Sequence, residues 1–355
     1  MDAFVYQALS QRVVFGDGTL AGLGAELDRL GVSRALILAG PQLRQAAETL
    51  GRDLAAKAAG VFAEAAMHTP VAVTDRALDA ARTARADSVV SLGGGSTTGL
   101  GKAIALRMGL PQVAVPTSYA GSEATPILGE TRDGRKVTQR DPRILPRVVI
   151  YDVSLTLSLS PAFSVTSGLN AIAHAVEALY AEHRNPPTSD LARAGIAALS
   201  AALPGIVADP GDRAARSDAL YGAWTCGTCL GTVGMALHHK ACHVLGGSFD
   251  LPHAETHSVI LPHAVAYNES AAAPALAPVA TLLRADSAAH GLWDLARRLG
   301  APTSLRMLGM PEDGLDRAAD DIAGTPYLNP RPVDRSAIRR ILQDAYEGRP
   351  PGGHR

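Results

Sequence analysis

At 355 residues the chain is long enough to bury two cores and far too long for a minimal binding module. Lys and Arg number 33 against 34 Asp and Glu, a net charge of −1, so no basic surplus points to nucleic acid or to an anionic membrane. The opening MDAFVYQALSQRVVF lacks the basic start and apolar run of a secretory signal, and no uninterrupted apolar run approaches the roughly 20 residues of a bilayer span. Three cysteines are too few for a disulfide framework, so a cytoplasmic location is expected.

Taken in chain order, apolar bursts at Arg34–Leu38, Ser88–Leu92, Gln112–Val115 and Val148–Tyr151 have the length and β-branching of buried parallel strands. Helix-spaced stretches such as Val73–Arg85 alternate with them, which predicts a doubly wound α/β dinucleotide-binding domain over residues 1–158. RDGR at 132–135 predicts a hairpin turn that interrupts the alternation. Beyond about Ser160 the chain turns Ala-rich, with helical stretches at Val165–Ala181, Leu191–Leu203 and Ala214–Leu237; residues 159–355 are read as an all-α substrate and catalytic domain. The tail Arg349–Arg355 is expected to fray. A ligand site is expected where the two halves face each other.

Two loops suit a dinucleotide. SLGGGSTTGLGKAIAL at 91–106 runs strand, glycines, helix: Gly93, Gly94 and Gly95 admit a close backbone approach, and Ser96 with the first helical N–H groups can hold a pyrophosphate. The spacing is neither the Rossmann nor the Walker fingerprint. Lys102, within that helix, reads as a solvated side chain. VPTSYAGSEATP at 115–126 follows the next strand, and Thr117, Ser118 and Gly121 are candidates for contact with the same cofactor.

Histidines carry the strongest signal, eight of the 11 falling between residues 174 and 263. Asn170 and His174 are four apart and share a helix face, as do His239 and His243, and His253 follows. An Ala-rich helix needs no histidine for packing, so the set predicts convergence on a site. His238, His257 and His263 are read as capping or pairing residues. Cys226 and Cys229 form a CxxC without a second pair and read as small packing residues.

RVVFGDGTL at 12–20, GGGS at 93–96, PTSYAGSE, NAIAH at 170–174 and HKACHVLGG…LPH at 239–253 form an ordered set that resembles the iron-containing (group III) alcohol dehydrogenases from Arg12 to about Ala345. The resemblance implies an N-terminal dinucleotide-binding α/β domain and a C-terminal helical domain, the dehydroquinate-synthase-like architecture, with metal and substrate between them. It implies a metal held by an Asp, a His four residues later and two further His, with the position of His243 facing the reaction centre.

Two positions depart from that pattern: Asn170 stands at the acidic ligand, and Gly99 at the Asp of GGGSxxD. Both departures, with PTSYAGSEATPILGETRDGRKV and TPYLNPRPVDRSAI, resemble the branch of the family that reduces the carbon–carbon double bond of maleylacetate to 3-oxoadipate with NADH or NADPH. The resemblance then implies no metal. His243 acts beside the nicotinamide, and His174, His239, His253 and Asn170 form a pocket for a small dicarboxylate. Tyr119, Lys136, Lys240 and Arg331 are candidates for the substrate carboxylates, Lys136 also for the cofactor. If a metal were bound, Asn170, His174, His239 and His253 would be its ligands, and the alternative is a metal-dependent alcohol dehydrogenase. The segment LILAGPQ at 36–42 has no Asp to reject a 2′-phosphate and only Arg44 to attract one, which leaves NADH and NADPH both open. A homodimer without nucleic-acid or membrane partners is expected.

Overall fold

The computed structural model describes residues 3–132, 135–324 and 326–352, and the side chains of Arg135 and Lys136 lie outside that description. The chain divides into two compact units: one covers Leu9–Leu159, the other Ser160–Arg355 together with Met1–Ala8.

The first unit contains the strands β1 (Arg12–Gly16), β2 (Ala35–Leu38), β3 (Ala58–Phe62), β4 (Ser88–Gly93), β5 (Gln112–Pro116), β6 (Ile127–Arg132), β7 (Arg135–Arg140) and β8 (Val148–Asp152). Six of them form a parallel sheet in the order β1-β8-β5-β4-β2-β3. The strands expected from their apolar bursts are β2, β4, β5 and β8. They occupy the middle of the sheet, where both faces are covered and every position is buried. The edge strands β1 and β3 escaped that reading.

Residues alternate between two cores. Ile37, Val90, Val113 and Val148 pack with helices α1 (Leu23–Leu30) and α2 (Arg44–Leu54), whereas Leu36, Leu38 and Val89 pack with α3 (Val71–Thr83) and α4 (Gly95–Met108). The interruption at RDGR is a two-stranded antiparallel β6–β7 ribbon in which Arg132 pairs with Arg135; the predicted turn residues Asp133 and Gly134 lie outside the described residues.

The second unit is helical: α5 (Pro161–Tyr180), α6 (Pro186–Ala208), α7 (Arg213–Thr232), α8 (Leu237–Phe249), α9 (His253–Leu283), α10 (Ala288–Arg298), α11 (Leu315–Ala323) and α12 (Arg335–Glu347). Side-chain caps with the expected chemistry start several of them, Ser160 accepting from Phe163 N, Asn185 from Thr188 N and Asp212 from Ala214 N and Ala215 N. The stretch Ala214–Leu237 is not one helix. It breaks after Thr232, and α8 begins anew at Leu237.

Although Asp190 and Arg193 interrupt it, α6 is long and apolar enough to cross a membrane by length and composition. Its apolar character serves internal packing against α7: a Cβ at Gly195 would meet Cys226 Sγ at 2.5 Å, and one at Gly222 would meet Leu199 Cγ at 2.7 Å. Cys226 and Cys229 are free and buried there, their thiols pushed up by burial, that of Cys229 to about 12, so neither is a ready nucleophile. At the C-terminus Arg349 does not fray, because its guanidinium pairs with Asp344 at 3.0 Å and its N–H donates to the Asp344 carbonyl.

His263 is buried against Trp293, with ring centroids 5.8 Å apart, and burial lowers its pKa to about 4. An unfolded histidine titrates near 6.5, so between about pH 6.5 and pH 4 the unfolded chain takes up a proton that the folded chain refuses. Stability contributed by this residue is present above that window and lost as pH falls through it, by about 3 kcal/mol in full. Urea midpoints measured from pH 7 to pH 4.5 should fall steeply in the native chain, and the fall should be shallower in His263→Leu.

Candidate active site

The two glycine and hydroxyl loops meet in the first unit. They follow neighbouring strands β4 and β5, and Thr117 N donates to the Gly93 carbonyl at 3.2 Å. A Cβ at Gly94 would lie 2.9 Å from Ser118 Oγ, so only glycine lets the second loop close on the first. Gly93 has a φ of 153°, and α4 starts from Gly94 without a side-chain cap; Thr97 N and Thr98 N donate to the Gly94 carbonyl, which makes the N–H groups of Gly95 and Ser96 the candidates for an anion. Gly121, at a φ of 76°, turns the second loop into the short helix Ser122–Ala124. Gly95, Ser96, Thr117 and Ser118 lie in this pair of loops, and the arrangement fits the pyrophosphate of a dinucleotide at the carboxyl ends of parallel strands.

The second departure has a physical reason: a Cβ at Gly99 would approach Thr69 Oγ1 to 2.6 Å, so Thr69 fills the space an Asp side chain would enter. Tyr119 is completely buried. Lys102, read as solvated, is in fact fully buried. Lys136 is a candidate whose side chain lies outside the described residues.

The histidines gather in the second unit. The face of α5 that carries Asn170 and His174 meets α8, which carries His239 and His243, and α9, which starts at His253. His174 Nδ1 and His239 Nε2 are 2.8 Å apart. The His239 and His243 ring centroids are 6.3 Å apart, those of His253 and His257 4.4 Å, and those of His239 and His257 5.1 Å. Asn170, His174 and His239 are buried, whereas His243 and His253 are half-buried and retain access. His238 and His257 do pair, Nε2 to Nδ1 at 2.9 Å, with Cys242 Sγ 3.8 Å from His238 Nε2. Burial holds both rings well below the ordinary histidine range, so they are neutral packing partners behind the half-buried pair.

One residue that the sequence reading missed organises the cluster. Glu177, fully buried on α5, accepts from the N–H groups of Ala236 (2.9 Å), His238 (2.8 Å) and His239 (3.4 Å). It therefore caps α8, which has no side-chain cap of its own, and its charge sits at the positive end of that helix. It also lies 2.6 Å from His239 Nδ1. Glu177 Oε2 accepts from backbone N–H groups, so His239 donates to it from Nδ1 and turns Nε2 toward His174.

Asn329 holds the same helix start from the C-terminal segment, accepting from Leu237 N at 3.3 Å and from Asn268 Nδ2 at 2.9 Å. Arg331 is exposed, its guanidinium lying 4.3 Å over the Tyr267 ring and donating to the Tyr267 carbonyl. Lys240 is half-exposed on α8.

Two family models match, an iron-containing alcohol dehydrogenase domain over residues 10–153 and the C-terminal domain of the Fe-containing alcohol dehydrogenase family over residues 164–346. The chain belongs to the iron-containing alcohol dehydrogenase family. Among its relatives in that family, the maleylacetate reductase of Rhizobium sp. (strain MTP-10005) is 58% identical over 351 residues, spanning 99% of this chain and all of that one. The maleylacetate reductase of Burkholderia cepacia is 54% identical over 348 residues, covering 98% and 99% of the two chains. The crystal structure of maleylacetate reductase from Agrobacterium tumefaciens superposes with a TM-score of 0.96 at 58% identity, covering 99% of this chain and all of that one.

The iron that names the family fits these donors poorly. Asn170 Oδ1 is buried without a hydrogen-bond partner and has a lone pair to give, but it brings no charge. His174 and His239 close on each other at 2.8 Å, and Glu177 is taken up by His239 and the start of α8. Three imidazoles and an amide leave a divalent cation with no anionic ligand among them.

Proposed function

We propose that the chain is a maleylacetate reductase, using NADH or NADPH to saturate the carbon–carbon double bond of maleylacetate and form 3-oxoadipate. The observation that carries this is Asn170: a buried amide oxygen without a partner replaces the family's anionic metal ligand inside an intact histidine cluster. Whole-length identity of 58% to a maleylacetate reductase supports the same reading.

Gly93–Ser96 with Thr117, Ser118 and Gly121 would hold a reduced nicotinamide dinucleotide, which would supply the hydride when bound. The substrate carries two carboxylates and a double bond conjugated to a ketone. Hydride adds to the carbon β to the ketone, the π pair moves toward the carbonyl as an enolate, and the α carbon takes one proton. That conjugation spares the reaction a metal Lewis acid, and hydrogen-bond donors stabilise the enolate instead.

His243, half-buried and accessible, donates the proton. Glu177 fixes His239 with its Nδ1 proton, so His239 Nε2 accepts the hydrogen bond from His174 Nδ1. Imidazole N–H groups of this cluster serve as hydrogen-bond donors to the substrate carboxylates and the enolate. Asn170 keeps a fixed negative charge out of the pocket: a carboxylate about 5 Å from a substrate carboxylate would cost roughly 3 kcal/mol at an effective dielectric near 20. His253 and Lys240 are further candidates for the substrate carboxylates on the helical unit, and Tyr119 and Lys136 are candidates for carboxylates or cofactor on the α/β unit. We expect a cytoplasmic homodimer acting on a small dicarboxylate, with no nucleic-acid or membrane partner.

Initial rates of NADH and NADPH oxidation, measured with maleylacetate and separately with short-chain aldehydes, test the reading. Fast oxidation with maleylacetate and 3-oxoadipate as product are expected. Preference for the aldehydes would refute it.

A further inference from the structure

Lys102 lies two helical turns into α4, and its Nζ has no exposed surface. Four oxygens surround it, all from one segment: Ser122 O at 2.6 Å, Ile127 O at 2.8 Å, Thr125 Oγ1 at 2.9 Å and Ser122 Oγ at 3.3 Å. A buried lysine loses a large hydration energy, and here the whole of the replacement comes from the chain that continues out of the Thr117–Gly121 loop. The segment is tied at two further points. Tyr151 on β8 donates to Glu123 Oε1 at 3.0 Å, and Gln11 Nε2 donates to the Glu123 carbonyl at 2.8 Å. The same helix whose first turn follows the glycine loop therefore also holds the exit of the second loop.

We propose that Lys102 is a positioning residue for the cofactor, a strut that holds the 117–127 segment against α4 so that the two nucleotide loops keep their closed spacing. It touches no reacting atom. The inference rests on the nicotinamide-binding reading of those loops and deepens it: affinity for the dinucleotide is set behind the loops as well as on their surface. An ammonium group has three hydrogens and no lone pair, so it serves these four acceptors with one hydrogen shared, Ser122 Oγ at 3.3 Å being the weakest of them. Burial opposes that charge and brings the pKa down to about 7, while the neighbouring buried Glu123 acts in the opposite sense. A neutral side chain of similar length keeps the volume and loses the bonds, which separates tethering from packing.

The test compares wild-type full-length protein with Lys102→Met and Thr125→Val, measuring NADH affinity by ligand fluorescence, KM for NADH, kcat at saturating NADH, and Tm. Lys102→Met should raise the NADH Kd and KM about 10-fold or more while kcat stays within about 2-fold. Thr125→Val removes one of the four acceptors and should raise the Kd about 3-fold with an unchanged circular dichroism spectrum. A purely structural lysine would lower Tm and leave the Kd of the folded fraction alone. That result in Lys102→Met would overturn the proposal, and if Lys102→Met does not fold, an unchanged Kd in Thr125→Val would overturn it. Wild-type protein that binds NADH but reduces no maleylacetate would refute the substrate reading and leave this test intact. Wild-type protein that binds no nicotinamide would refute both.

Discussion

Glu177→Gln should lower kcat about 100-fold or more and destabilise the protein by about 3 kcal/mol, the larger structural effect of the two site variants considered next. The carboxylate accepts from three backbone N–H groups and from His239 Nδ1. An amide keeps one oxygen and places an NH2 group where the other accepted, so at least one N–H donor of the α8 start faces another donor in a fully buried site. Loss of the charge also removes the favourable interaction with the positive end of α8. His239 loses the acceptor that fixes its tautomer, and the His239–His174 hydrogen bond loses its fixed direction. Urea unfolding and steady-state kinetics measure the two effects separately. A variant of native stability with native kcat would show that Glu177 neither orients His239 nor caps α8.

The second large effect is expected at His243. His243→Ala should lower kcat by about 100- to 10,000-fold, the range of a lost general acid, with a small change in KM for maleylacetate and in Tm. The asymmetry follows from its place. His243 is half-buried on the same face of α8 as His239, one turn on, and its removal leaves the Glu177–His239–His174 chain of bonds in place. The pH profile of kcat should lose its limb for protonated histidine in the variant, because donation requires the imidazolium form. Unchanged turnover would remove His243 from the proton transfer.

What could be read in the sequence depended on whether a residue's role is local. Strands β2, β4, β5 and β8 were legible because a strand buried on both faces is apolar at consecutive positions. β3 reads AAGVF and β1 reads RVVFG; as sheet edges they need no continuous apolar run, and alanine and glycine carry little strand signal. The pairing of the two loops was legible because both follow adjacent strands of one sheet.

Asn170 with His174 and His239 with His243 were legible as i, i+4 pairs on helices. Glu177 and Lys102 were not. Each is a charged residue in a helix, where solvent exposure is the ordinary outcome, and each acquires its role only when a segment distant in sequence packs on it: the start of α8 on Glu177, residues 122–127 on Lys102. Glu177 lies three residues beyond His174, on the same face, and that spacing was the one available signal. The stacking of Arg331 on the Tyr267 ring was likewise not legible, because it depends on residues 64 positions apart.

Under the proposed function, a histidine pocket reduces a conjugated dicarboxylate without a metal ion. The most direct measurement is NADH-dependent reduction of maleylacetate by protein stripped with a strong chelator and checked for residual iron and zinc. One NADH consumed per 3-oxoadipate formed is expected, at the rate of untreated protein and unchanged by added Fe²⁺ or Zn²⁺. Activity lost on stripping and restored by either metal would contradict the account.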